Sequence, residues 1–327
     1  MVTYRPEDRQ GLEPDSRLSR FNSSILRSIA DVCHALPNFR GKVRAAEMAM
    51  KFLRLENHHM LKTASIDSPA QYLALLDFHS RHERWAYFMN EYESDTTRFL
   101  VRLFDGEGCF IDVGANIGLI ALPFSKLVAE RDRAAPQIYC IEAVSANVER
   151  LQHNIRLNGL EETIRAIAKG VGDIEKEVQL QIEGNLKEGE GTGTANILSD
   201  HTDHPAERVP LAITTLDNLI DEGLISREVS LIKIDVDGYD LNVLKGAKNM
   251  LSYSRPIIFG EFMEHCLAWH GQSYTDVIEY VTPLDYRVYR RVDNHFIFSA
   301  RDFAGYSSDL LIVPEEKVET LDWCTYM

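Results

Sequence analysis

The stretch Cys109–Leu122, CFIDVGANIGLIAL, decides how the rest of the chain is read. A short apolar strand runs into an acid, Asp112. Two glycines follow, Gly114 and Gly118, and then an amphipathic run. A strand that turns into a helix through glycine is where α/β proteins hold a ligand. Several ligands use such a turn.

The same rhythm recurs downstream. IYCIE (138–142), IRAIA (164–168), LIKID (231–235) and PIIFGE (256–261) are short apolar strands. Helical patterns separate them, through SANVERLQHNIRLNG and DLNVLKGAKNML, and EVQLQI (177–182) alternates like part of an extra hairpin. YRVYRRV and DLLIV close the sheet. Strands alternating with helices predict βαβ units and a mainly parallel sheet with helices on both faces. Its ligand belongs beyond the carboxyl ends of the strands, where Asp112, Glu142 and Asp235 all stand.

Upstream, residues 1–60 read as a helical extension, with apolar spacing of three and four residues in SILRSIADVCHAL and RAAEMAMKFLRL. Residues 61–91 read as a connecting cap, with QYLALLDF and RWAYFMNEY as strand candidates. Ser94 can cap a helix over DTTRFLVRLF, which opens the domain from 92 to 327. The polar segment 184–209 is long for a compact domain and is expected to move over the site as a lid.

The 327 residues carry a net charge of −15, with 45% hydrophobic and 26% charged residues. That describes a globular protein whose surface repels phosphate backbones, so no nucleic-acid partner is expected. No apolar run approaches the about 20 residues of a membrane span. There is no secretory h-region, and the five cysteines form no C-x-x-C pair. The cytoplasm is therefore the expected compartment, with reduced thiols.

Which ligand the turn serves depends on its spacing. A P-loop needs Gly-Lys-Ser/Thr, which is missing. A dinucleotide fingerprint needs three glycines and an acid about 20 residues on. This turn reads D-x-G-x-N-x-G, and its acid, Glu142, comes later, so NAD fits poorly. S-adenosylmethionine has no pyrophosphate and needs no third glycine. Gly114 would allow close approach, N–H groups at the helix start would take the methionine carboxylate, and Gly118 would let the helix pack on the sheet. Asn116 would cap the helix or hold a left-handed position. Glu142 would accept both ribose hydroxyls.

FIDVGANIG, IEAVSANVERLQHNIRLNG, TTLDNL, LIKIDVDGYDLNVLKGA and PIIFGEF together resemble the FkbM family of S-adenosylmethionine-dependent methyltransferases. The similarity runs from about Glu91 to Pro314, roughly two thirds of the chain. It implies a Rossmann-like, seven-stranded, mostly parallel sheet. It also implies methyl transfer to a hydroxyl on a sugar, glycan or polyketide-like small molecule. By position, Asp112, Gly114, Ala115, Asn116 and Gly118 form the cofactor turn, and Glu142 is the ribose acid. Ala143 stands where the family has proline, and Asp237 where it has glutamate. An NAD-dependent oxidoreductase and a noncatalytic cofactor-binding module are the other classes. The oligomeric state is not legible.

Alcohol acceptors hold their proton tightly, so a general base helps. Asp235 ends the strand expected beside the glycine turn and should lie against both cofactor and methyl group. Glu261 ends the next strand. His265 follows four residues later and would pair with Glu261 if one helix carried both. Asp240 reads as a favourable acid in a first helical turn. Lys233 reads as structural, paired with a carboxylate. No metal is expected. His201 and His204 have H-x-x-H spacing in the polar segment, and Asp217, Asp235 and Asp237 could gather, but the spacing demands neither.

Overall fold

The computed structural model describes residues 16–36, 41–52, 61–78, 80–132, 134–182, 195–197, 207–299 and 309–321. A hairpin comes first, β1 (Leu61–Ile66) and β2 (Tyr72–Asp77). Next come β3 (Cys109–Val113), β4 (Gln137–Glu142) and β5 (Ile164–Ala168). A separate small sheet holds β6 (Gly170–Val171), β7 (Lys176–Ile182), β8 (Ala195–Ile197) and β9 (Glu207–Thr214). The chain then supplies β10 (Val229–Ile234), β11 (Ile257–Glu261), β12 (Tyr286–Val292), β13 (His295–Phe298) and β14 (Asp309–Pro314).

The large sheet has the order β5-β4-β3-β10-β11-β14-β12-β13. The five strands from β5 to β11 run parallel. β14 is antiparallel to both neighbours, and β13 returns antiparallel beside β12. The mostly parallel sheet is as expected in kind, but it has eight strands where seven were expected, with β13 at the edge. Chain order reverses at β3, which has β4 on one side and β10 on the other, and that reversal opens the ligand crevice.

β3 and β10 are buried along their whole length, as strands covered on both faces must be. Alternate residues feed two cores. Phe110, Leu231, Phe259 and Leu311 pack under the N-terminal elements and the helix Ala121–Asp132. Ile111, Ile232, Ile258 and Ile312 pack against the helices between 216 and 281 on the other face. The same alternation puts Asp112 and Lys233 opposite each other in register on the first face.

Two upstream expectations need correction, and one downstream falls largely outside the described residues. The strand candidate RWAYFMNEY lies largely in a helix, Arg81–Met89. Its aromatic content suggested a strand, but Ser80 caps it, Glu83, Ala86 and Tyr87 bury at helical spacing, and Asn90 ends it at φ +58°. The helix Ser94–Leu103 is present, but Glu93 holds the cap position. Ser94 instead faces Ser68 at 3.0 Å. Of segment 184–209, only 195–197 and 207–209 are described, in β8 and β9. The expected lid motion, with His201 and His204, falls outside the described residues. Among those described, no helix is long and apolar enough to cross a membrane.

The hairpin is tied to the helix Ser145–Leu157. Asn154 Oδ1 accepts the Leu75 N–H at 2.7 Å, and its amide donates to Ile117 O at 3.0 Å. Asn158 just beyond accepts the Leu73 N–H at 3.0 Å. Side-chain amides thus satisfy the open edge of β2.

Candidate active site

The carboxyl ends of β3, β4, β10 and β11 open onto one cavity of about 410 Å³. The glycine turn forms its floor. Gly114 has φ +76°, and a Cβ there would stand 1.9 Å from Asp235 O. Only glycine permits both the left-handed backbone and that approach. Gly114 and Ala115 donate their N–H groups to Ile141 O at 3.0 and 3.1 Å, which locks the turn to β4. Asn116 holds φ +49°, so of its two expected roles the left-handed one is seen. The helix starts only at Ala121, so Asn116 is not its cap. A Cβ on Gly118 would lie 2.7 Å from Leu151, so this glycine admits the neighbouring helix rather than the sheet.

Glu142 is buried at the end of β4. Its Oε2 accepts the Asn116 N–H at 2.9 Å and its Oε1 the Val144 N–H at 2.8 Å. The Asn147 side chain donates to it as well. Burial raises its pKa, and these three bonds oppose the rise. The N–H groups of Gly114, Ala115 and Asn116 are thus all committed within the protein, and a ligand carboxylate cannot use them.

Lys233 lies 3.2 Å from Asp112 and 3.2 Å from Asp235. Burial alone would lower the Lys233 pKa, but Asp112, Asp235 and Glu93 raise it above the ordinary value. Its expected structural pairing is therefore met. Asp112 is fully buried, and burial raises its pKa against the pull of Lys233. The contact with Lys233 is an ion pair without hydrogen-bond alignment, so neither Asp112 oxygen has an aligned partner.

Beyond Asp235 the cavity becomes acidic. Asp237 and Glu261 line it, and so does Glu93. Glu261 faces Asp309 directly across the β11–β14 register, a like-charge pairing that sheets avoid. Glu261 has open surface but is packed round with protein, since that surface faces the cavity. Burial, with Asp235, Asp309, Glu93 and Asp237, pushes its carboxyl up to about 7. Glu93 likewise is raised by burial and then by Asp235, with Lys233 opposing.

Glu93 and its neighbour Tyr92 line the cavity, and sequence reasoning missed both. Glu93 carries one signal, an acid at a helix start, which ordinary capping also explains.

The expected pair of Glu261 and His265 does not form. Glu261 ends a strand and His265 lies in the separate helix Glu264–Ala268, so no helix face carries both. His265 is exposed, stacks edge-on with Trp269 at 5.9 Å, and is not part of the cavity wall. Asp240 is buried and caps its own turn, accepting the Val236 and Gly238 N–H groups at 3.2 and 3.0 Å. Asp217 is taken up in capping the N–H groups of Asn249 and Met250 at 2.8 and 2.9 Å, away from Asp235 and Asp237.

The family model described as Methyltransferase FkbM domain matches residues 112–288. The chain belongs to the FkbM methyltransferase family. Hexuronic acid methyltransferase AglP of Haloferax volcanii is 27% identical over 210 residues, which are 62% of this chain and 77% of that protein. The solved methyltransferase FkbM of Methylobacillus flagellatus KT aligns with a TM-score of 0.40 at 17% identity. That alignment covers 70% of this chain and 52% of that one, so this chain spans about half its length. An O-methyltransferase of Thermotoga maritima aligns at 0.35 with 11% identity, covering 68% of this chain and 65% of that one.

S-adenosylmethionine is the cofactor of this FkbM methyltransferase. The residues present fit it. Ile117, Leu119, Val144 and Leu180 give the cavity apolar walls for a purine near Glu142. Carboxylates at the Asp235 end suit an ammonium and a sulfonium. The unaligned Asp112 oxygens and the unpartnered Oδ1 of Asn116 line the same space.

Proposed function

We propose that this FkbM methyltransferase methylates a hydroxyl of a sugar, glycan or polyketide-like small molecule, with Glu261 as general base. One observation carries the reading: Glu261 opens on the cofactor cavity with its carboxyl held at about 7. A base poised near operating pH is the efficient one. The relative named for hexuronic acid supports a carbohydrate acceptor.

In this reading Asp112, Gly114, Ala115, Asn116 and Gly118 shape the cofactor's bed. Glu142 takes a ribose hydroxyl. A carboxylate offers about four acceptor positions, and protein donors fill three of them. One ribose hydroxyl therefore finds a place, rather than both. When bound, S-adenosylmethionine supplies a methyl group already activated. Asp235 and Glu93 line one end of the cavity and would supply negative charge there to the cofactor's cationic groups. The acceptor sits beyond, against Glu261. As the acceptor oxygen attacks, its proton passes to a Glu261 carboxylate oxygen.

Glu261→Gln should lower the chemical step by about 10²–10⁴-fold in single-turnover kinetics. Affinity for S-adenosylhomocysteine should stay near that of the parent protein. A variant that keeps its rate, beside an Asp235→Asn variant that loses it, would move the base to Asp235.

A further inference from the structure

Glu83 belongs to the helix Arg81–Met89, outside the matched residues 112–288, yet it lines the cofactor cavity. It is buried, and its Oε2 accepts two bonds, from the Asp77 N–H at 2.5 Å and Arg150 Nη1 at 2.6 Å. The guanidinium has a second arm. Arg150 Nη2 donates to Asn147 Oδ1 at 3.1 Å. With its oxygen so engaged, the Asn147 amide has its nitrogen left to donate, and its side chain is bonded to Glu142. All four side chains are less than a tenth exposed.

We infer that this buried relay, Glu83–Arg150–Asn147–Glu142, aims the ribose-binding carboxylate, so that Glu83 and Arg150 are positioning residues for the cofactor. The inference rests on the ribose role proposed for Glu142. Each link has a reason. Glu83 fixes the planar fork of Arg150, which binds in two directions at once. The fork fixes which way the Asn147 amide points. That amide, with the two backbone donors, leaves the Glu142 carboxylate one orientation and one open acceptor position. The N-terminal helix thereby tunes a site otherwise built by the methyltransferase sheet.

The test is calorimetric binding of S-adenosylhomocysteine and of its 2′-deoxy and 3′-deoxy forms. Arg150→Lys keeps a cation beside Glu83 but has no second arm for Asn147. It should weaken S-adenosylhomocysteine about 3- to 10-fold, the worth of one hydrogen bond. It should leave unchanged the affinity for the one deoxy form that lacks the hydroxyl Glu142 takes. The double variant Glu83→Gln with Arg150→Met removes the relay and strands no buried charge, and it should show the same selectivity. Equal losses for all three ligands, or no loss, would overturn the relay. Glu142→Ala separates the two levels. If its loss is also equal for all three ligands, the ribose reading has failed. If its loss is hydroxyl-selective and that of Arg150→Lys is not, only the relay has failed.

Discussion

Gly114 and Asp235 meet backbone to backbone, with no room for a methyl group between them. The turn after β3 and the turn after β10 are thus one object, and the cofactor bed cannot shift without moving the acid beside it. Gly114→Ala would add left-handed strain and a collision with a carbonyl that cannot swing away. It should cost roughly 2–6 kcal/mol in urea unfolding. S-adenosylhomocysteine binding should fall with it.

Lys233 answers two carboxylates, and Asp112 is the one with no water to turn to. Lys233→Met should destabilise by about 3–5 kcal/mol, the usual result of stranding a buried charge. Adding Asp112→Asn should recover a large part, as a double-mutant cycle would show. The folded pKa of Lys233 lies above its unfolded value. Its contribution is therefore whole below the unfolded pKa of about 10.4 and fades as pH climbs through the folded one.

Glu261 gives a slope of the same sign at lower pH. Its folded pKa of about 7 exceeds the ordinary 4.5, so between these values the folded protein holds more proton than the unfolded chain. Stability from this group falls as pH rises through that window. Glu261→Gln should flatten that part of the stability–pH curve. In the parent enzyme kcat/KM should rise with pH about an apparent pKa near 7. A profile for Glu261→Gln that keeps the same inflection would assign it to another group.

Glu142→Ala should weaken S-adenosylhomocysteine by about 1.5–3 kcal/mol, the scale of a hydrogen bond to a charged group. Unchanged titration calorimetry would remove Glu142 from the ribose.

His265→Ala should change the single-turnover rate by less than about twofold and stability by no more than about 0.5 kcal/mol, as for other exposed side chains. A loss of 100-fold would mean that the helix Glu264–Ala268 closes over the acceptor.

Asp112, Gly114, Glu142 and Asp235 could be found in the sequence because each is fixed by its neighbours in the chain. An acid at the end of an apolar run stands at a strand's end wherever that strand is placed. Tyr92 and Glu93 reach the same cavity by packing, and Asp309 comes to face Glu261 by strand register, neither of which a local window contains. Arg150 and Asn147 look like ordinary surface residues of a helix until β2 and the helix Arg81–Met89 are laid over them. The pairing of His265 with Glu261 fails because a spacing of four has meaning only within one helix, and a strand end intervenes.

β14 lies between β11 and β12, although both precede it in the chain. During synthesis the β12–β13 hairpin therefore waits without its sheet neighbour until residues 309–314 have emerged. Only then does Asp309 come to rest opposite Glu261. A nascent chain can assemble the glycine turn and Glu142 early, but the Glu261 end of the cavity takes shape last. A chain cut short before that strand would expose two unpaired sheet edges, and quality control could recognise it as unfinished before it could methylate anything.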